Sequence, residues 1–273
     1  MLDGAPLICG GCIGSANSCN HSKKCYKYDP VADTWLESGT MSGAKDYPAS
    51  DYTDFFGLAM AHEGDPLEVT QDGINFELLA DYPNPDVSNF DSGCLVILDD
   101  KNLFLAGGGR YGSSKAYIYN KDANVWRTVG NMAEPRTQHS CGLVQSNSGY
   151  EVVVFGGNQG QASSIEIFSV ETETWRPGML PIIISVLTMN DCFNKMTFSG
   201  NEVSFRLSYA DDIRVDDTFA MVGGIQGSAD TSDAIVKYLP ESGTFLELPG
   251  KMKLPRYDTT AILVDRSIFP PCV

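Results

Sequence analysis

Leu103-Phe-Leu-Ala-Gly107-Gly108-Gly109-Arg110-Tyr111-Gly-Ser-Ser-Lys-Ala116-Tyr117-Ile118-Tyr119-Asn-Lys-Asp-Ala-Asn-Val-Trp126 is the stretch whose reading decides the fold. A short apolar run ends on glycines, a polar loop comes next, and an alternating run then leads through a turn into a tryptophan. These are the marks of two half-buried strands, a turn and a third strand. The diglycine ending recurs as Pro6-Leu-Ile-Cys9-Gly10-Gly11, Val152-Val-Val-Phe155-Gly156-Gly157 and Phe219-Ala-Met-Val222-Gly223-Gly224. A weaker copy, Leu58-Ala-Met-Ala61-His62-Glu63-Gly64, fills the gap between the first and second. Alternating runs come after it at Cys25 to Tyr28, Ile165 to Phe168 and Ile235 to Tyr238, and the aromatics Trp35, Phe76, Trp126, Trp175 and Phe245 stand 41, 50, 49 and 70 residues apart. Five units with a period near fifty residues are legible, the last interval being about twenty too long.

Smaller elements keep the same order. Met41, Met132 and Met252 come after the aromatic, and Pro135-Arg136 and Pro255-Arg256 precede strand patterns at Ser140 to Val144 and Thr259 to Val264. Each unit is therefore expected to hold four short strands. A glycine pair at a strand end lets backbones crowd together where a Cβ would intrude, and a large ring fills the space between adjacent sheets. A sheet that is apolar on both faces must bury both, and radial stacking does so while leaving only short edges.

The pattern resembles the kelch repeat over almost the whole chain, carried by the ordered recurrence of diglycine, tyrosine and tryptophan: Gly10, Gly11, Tyr28 and Trp35; Gly107, Gly108, Tyr119 and Trp126; Gly156, Gly157 and Trp175; Gly223, Gly224 and Tyr238. The resemblance implies an all-β fold, a kelch-type β-propeller of four-stranded blades forming one domain over residues 1–273. Six blades are usual in such rings and five are visible, so a blade and a leader are expected upstream of Met1. The chain starts at a second strand and ends at a first, and the C-terminal segment is expected to complete the first blade.

Two places break the repeat. Residues 181–217 match no element well although a first strand belongs there, and a functional loop, an extra strand and a translated intron all stay open. In the second unit, Thr70-Gln71-Asp72-Gly73-Ile74-Asn75-Phe76 replaces the Tyr and Trp elements; a β-turn at Asp72-Gly73 between two strands accounts for it better than an Asp-box of the sialidase kind.

A formal net charge of -16 and a sequence pI near 4.4 exclude the usual nucleic-acid footprint. The acidic pairs at Asp99, Asp211 and Asp216 lack EF-hand spacing, and the apolar run from Met179 to Met189 is too short and interrupted to span a bilayer. No signal peptide is readable. Four of the eight cysteines crowd into the first twenty-five residues. A zinc site lacks a second Cys-x2-Cys pair; a Cys9–Cys25 disulfide is expected because the repeat sets these residues on neighbouring antiparallel strands, and wholly reduced, packed cysteines are the other reading. With the sequon Asn20-His21-Ser22, the disulfide favours a secreted relative such as the extracellular kelch-like proteins of invertebrates over a cytoplasmic one.

Enzymatic signatures are missing. His21, His62 and His139 cannot supply a galactose oxidase-like copper site on this reading, the arginines are too scattered for a sialidase triad, and no nucleophile elbow, Walker loop or zincin helix occurs. His139 is expected to be structural. No cofactor or metal is expected. In kelch propellers that bind peptides, loops after the diglycine contribute polar and Arg side chains, and here those positions are Arg110, Tyr111, Asn158, Gln159 and Gln226. Arg110 is the foremost candidate, able to grip a carboxylate in bidentate fashion. The expected function is a non-enzymatic module recognising a protein or peptide on the loop face, with a glycan-binding or extracellular structural propeller as the alternative and an oxidase or sialidase third. No membrane insertion and no nucleic-acid partner are expected.

Overall fold

The computed structural model describes residues 5–15, 18–29, 31–44, 48–62, 65–82, 92–109, 111–157, 164–178, 183–184, 211–215, 218–222, 225–226, 230–231 and 235–248. Every regular element among them is a β-strand. The third blade sets the pattern: Cys94–Ile97, Asn102–Ala106, Ala116–Asn120 and Val125–Thr128 pair antiparallel in sequence order. The fourth repeats it with Ser140–Ser146, Gly149–Phe155, Ile165–Ser169 and Thr174–Pro177, and the second with Ala49–Thr53, Gly57–His62, Asp65–Thr70 and Glu77–Leu78.

Both faces of these sheets are apolar, because alternate residues of one strand point to opposite sides. In the third blade Leu95, Ile97, Leu103, Leu105, Tyr117 and Tyr119 pack with Ala59, Ala61, Leu67 and Val69 of the second. Their alternates Cys94, Val96, Phe104, Ala106 and Ile118 pack with Leu143, Val152, Val154 and Phe168 of the fourth. The fourth blade's far side, with Val153, Phe155 and Ile167, meets Val236, Tyr238 and Phe245 of the fifth. The architecture is therefore a row of radially stacked four-stranded blades.

Trp126 and Trp175 each tie their blade to the one before it. Trp126 Nε1 donates to the Ala80 carbonyl at 2.9 Å while its ring lies 5.1 Å from Tyr119 and 5.5 Å from Tyr82. Trp175 Nε1 donates to the Gly130 carbonyl, and its ring lies 5.2 Å from Phe168 and 6.0 Å from Phe104 of the preceding blade. Trp35 stacks on Tyr28 and is 43% exposed.

The repeat tyrosine has its own task. Asp33, Asn124 and Glu173, each just before the outermost strand, have φ of 49°, 52° and 54°, and Gly243 holds the same place at 66°. A left-handed residue closes this tight turn at a cost for a non-glycine side chain. Tyr28 Oη donates to Asp33 and Tyr119 Oη to Asn124 at 2.7 Å, which offsets that cost locally. The fourth blade has Phe168 where the first, third and fifth have Tyr28, Tyr119 and Tyr238, and its Glu173 is instead gripped by Arg127 of the third blade.

The first blade comprises three described strands, Leu7–Cys9, Lys24–Asp29 and Thr34–Thr40, rather than four; the segment expected to complete it, Thr259 to Val264, lies outside the described residues, as do Gly223, Gly224, Pro255 and Arg256. Cys9 and Cys25 face each other in register and form the expected disulfide, Cα to Cα 4.1 Å. Cys9 and Cys25 are thereby removed from any zinc site. A second disulfide, Cys94–Cys141, joins the innermost strands of the third and fourth blades with Cα atoms 5.8 Å apart.

The long interval holds the expected first strand at its end, Asp211–Val215, paired with Thr218–Val222, Ile235–Leu239 and Thr244–Glu247 in turn. At its start Ile183–Ile184 adds a parallel strand on the outer edge, opposite Phe245 and Leu246. In the second blade the turn reading of 70–76 holds: Gly73 has φ of 73°, and Asp72 Oδ1 accepts the Ile74 and Asn75 amides at 2.8 Å each. The Asn75 and Ile74 amides, with the Asn75 side chain, hold the Asp72 carboxyl down to about 2.

The inter-blade tie makes a measurable prediction. Trp126→Phe and Trp175→Phe keep the ring but delete the donor, and each is expected to lower stability by about 1 kcal/mol in urea unfolding at unchanged m-value. Trp35→Phe, at the most exposed of the three rings, is expected to cost less.

Candidate functional site

Among the described residues, the diglycine ends of the third and fourth blades show how the loops after them are anchored. Gly107, Gly108 and Gly109 are all left-handed, with φ of 68°, 91° and 78°. A Cβ on Gly107 would lie 2.8 Å from His139 Nε2 and 2.9 Å from the Arg136 carbonyl, so only glycine lets the chain pass this close. The Arg136 carbonyl accepts the amides of Gly108 at 2.9 Å and Ser113 at 3.1 Å, while the Arg136 amide donates to the Ser113 carbonyl at 2.9 Å. Both ends of the loop that carries Arg110 and Tyr111 are thus clipped to one residue.

The side chain of Arg136 holds the next loop. Its guanidinium is wholly buried and donates to the Gly156 carbonyl at 2.7 Å, to the Ser164 carbonyl at 3.2 Å and to Ser164 Oγ at 2.7 Å. Gly156 and Ser164 flank the segment that contains Asn158 and Gln159. Glu166 Oε1 meets Arg136 Nη2 at 3.1 Å, and the same carboxylate accepts the Ala133 amide at 2.6 Å and the Glu134 amide at 3.2 Å. Burial pulls the guanidinium pKa down and the Glu166 carboxylate pushes it back up. A buried charge so fully partnered fixes geometry; losing one partner strands the other.

Glu68 of the second blade occupies the matching place: it is fully buried and its Oε1 accepts the Ser42 amide at 2.7 Å, just after buried Met41, as Glu166 accepts the Ala133 amide just after buried Met132. Neither glutamate stood out as a functional residue in the sequence. The recurring Pro-Arg pair and a glutamate within the third strand were the available signal.

His139 is structural, as expected from its position. Its ring is buried between the third and fourth blades beside Gly107 and Gly157, and burial, helped by the Arg136 charge, pushes its pKa down to about 3. It is neutral at physiological pH. Among the described residues no group of three or more His, Cys, Asp or Glu side chains could hold a metal.

Tyr111 is 79% exposed. Gln226 falls in a two-residue strand, Ile225–Gln226, that pairs with Asp230–Thr231 as a small hairpin after the fifth blade's second strand. Arg110, Asn158 and Gln159 lie outside the described residues. After Gly10 and Gly11 the first blade carries a longer hairpin, Cys12–Ser15 with Ser18–His21.

No family model matches the chain. Over 137 residues, 50% of the chain, it is 25% identical to an F-box/kelch-repeat protein of Arabidopsis thaliana. The four-stranded antiparallel sheets in sequence order are consistent with a kelch-type β-propeller. The chain spans about a third of the length of that relative, the match covering 34% of it. The similarity supports the kelch reading of the repeats.

Two outcomes are expected from the site's electrostatics. Arg136→Met, which leaves Glu166 buried without its partner, should cost about 3–5 kcal/mol in denaturant unfolding. An unfolded histidine takes up its proton near pH 6.5 and folded His139 near 3. Between those values the unfolded chain binds the extra proton, so stability falls as pH is lowered, by up to about 1.4 kcal/mol per unit. Unfolding curves at pH 7 and 5 should diverge in the wild-type chain and converge in His139→Asn.

Proposed function

We propose that the chain is a non-enzymatic binding module whose loop face recognises a peptide segment of a protein partner, with Arg110, Tyr111, Asn158, Gln159 and Gln226 as its contact residues. The observation that carries this reading is the double clip at Arg136. One buried residue braces the loop of the third blade through its backbone and the loop of the fourth through its side chain. Bracing of this kind lowers the ordering cost of binding, which is where a preorganised surface gains affinity. Exposed Tyr111 adds an amphipathic ring of the sort enriched at recognition surfaces.

Charge narrows the ligand. At a formal net charge of -16 the chain repels strongly acidic partners. A peptide with one carboxylate aimed at Arg110, set among neutral or basic residues, satisfies both the local and the global field. The two disulfides favour a second reading, an extracellular glycan-binding or structural propeller.

Selection from a random peptide library, with a glycan array in parallel, separates the two. Carboxylate-bearing peptides are expected to emerge. Arg110→Ala should weaken them about ten- to a hundredfold, the equivalent of a lost charged hydrogen bond. Peptides no better than their scrambled forms, or binding indifferent to Arg110→Ala, would overturn the peptide reading. A glycan signal lost in Tyr111→Ala would establish the second.

A further inference from the structure

The hairpin on the first blade belongs to no blade sheet: Cys12–Ser15 and Ser18–His21 form a two-stranded unit of their own. Its base is fastened where the diglycine ends, by the Gly10 amide to the Lys24 carbonyl at 3.0 Å and the Ser22 amide to the Gly11 carbonyl at 2.8 Å. Asn20 lies on its second strand opposite Ile13, exposed to solvent, and opens the sequence Asn20-His21-Ser22. An independent chemical mark sits beside it. Cys9–Cys25 closes the sheet at the hairpin's base and Cys94–Cys141 ties two blades together. Disulfides of this structural kind form and persist in oxidising compartments, which is also where asparagine is glycosylated.

We propose that Asn20 carries an N-linked glycan, acquired in an oxidising secretory compartment. In the transfer, the Asn20 side-chain amide nitrogen attacks C1 of the first sugar of a polyisoprenyl-pyrophosphate-linked oligosaccharide. A C–N bond forms, the C1–O bond to pyrophosphate breaks, the lipid pyrophosphate leaves, and the amide gives up one proton to a base of the transferase. The folded geometry dictates when this happens. Ser22, whose hydroxyl belongs to the recognised triplet, is 7% exposed, and its Oγ accepts the Lys24 amide at 3.1 Å. The triplet is therefore readable before the Cys9–Cys25 sheet closes. Asn20 stays exposed afterwards, so the finished fold accommodates the sugar.

The test uses the full-length protein captured by antibody from the cells that make it and from their medium. Free thiols are alkylated first, then the protein is reduced, digested with trypsin and treated with peptide-N-glycosidase F in heavy-oxygen water. The peptide ending at Lys23 should then contain labelled Asp in place of Asn20, and Cys9, Cys25, Cys94 and Cys141 should have escaped the first alkylation. On gels the glycosidase should collapse the slower band onto that of Asn20→Gln made in the same cells. An unmodified Asn20 overturns the site whatever the thiols show. An unmodified Asn20 together with four alkylated cysteines overturns the compartment as well.

Discussion

Everything in this fold depends on sheets that are apolar on both sides. A strand such as Leu103-Phe104-Leu105 sends its leucines toward one neighbour and its phenylalanine toward the other, and all three are fully buried. Such a sheet cannot leave either face in water, at roughly 25 cal/mol for each Å² of apolar surface exposed. The tryptophan tie acts on top of this nonspecific demand. By placing one indole donor on one carbonyl of the previous blade, it selects a register among the many that burial alone would allow. Apolar area drives the stacking and a few directional contacts specify it, the division of labour expected of a unique packed state.

Arg136 turns that scaffold into a surface. The residue could have served the seam alone, as Glu68 and the Ser42 amide do in the second blade with a simpler contact. Instead its backbone and guanidinium reach two successive loops, and the desolvation of a fully buried charge is offset only because Glu166 and three oxygens of residues 156 and 164 surround it. The arrangement is brittle by construction, since each partner is needed to justify the others. Brittleness here means that Gly108 and Ser113 on one side and Gly156 and Ser164 on the other all depend on one residue.

Features displayed by the sequence and features concealed in it divide along the same line. Contacts within a blade were legible, because alternation, glycine pairs and the tyrosine spacing are local; even Cys9 opposite Cys25 could be placed from strand order. Contacts between blades were not. Cys94 and Cys141 are 47 residues apart, close to one repeat, so each sits on an equivalent first strand and nothing local announces that they meet. The Arg136–Glu166 pair is likewise a contact across a seam. The fifth blade's first strand, Asp211–Val215, was hidden for a different reason: Asp-Asp-Ile-Arg-Val has too few apolar residues to show a two-residue period, and its pairing with Thr218–Val222 is what makes it a strand. The left-handed Asp33, Asn124 and Glu173 were masked by being non-glycine, their conformation made tolerable by partners several residues or a blade away.

The distinction between recurring and unique positions also bears on the proposed recognition. Diglycine, tyrosine, tryptophan, methionine and the left-handed turn return because the blades that carry them solve the same closure problem. The segments just after the diglycines do not return: a cysteine-rich hairpin in the first blade, Gly109-Arg110-Tyr111 in the third, Asn158-Gln159 in the fourth, a short hairpin in the fifth. If these segments served packing, the repeated geometry would impose repeated chemistry on them as it does elsewhere. Their divergence, next to a scaffold that repeats from blade to blade, is what the proposed recognition by these loops requires, and it contrasts with the outer edges, where exposed Leu36, Leu78 and Val125 simply finish each sheet.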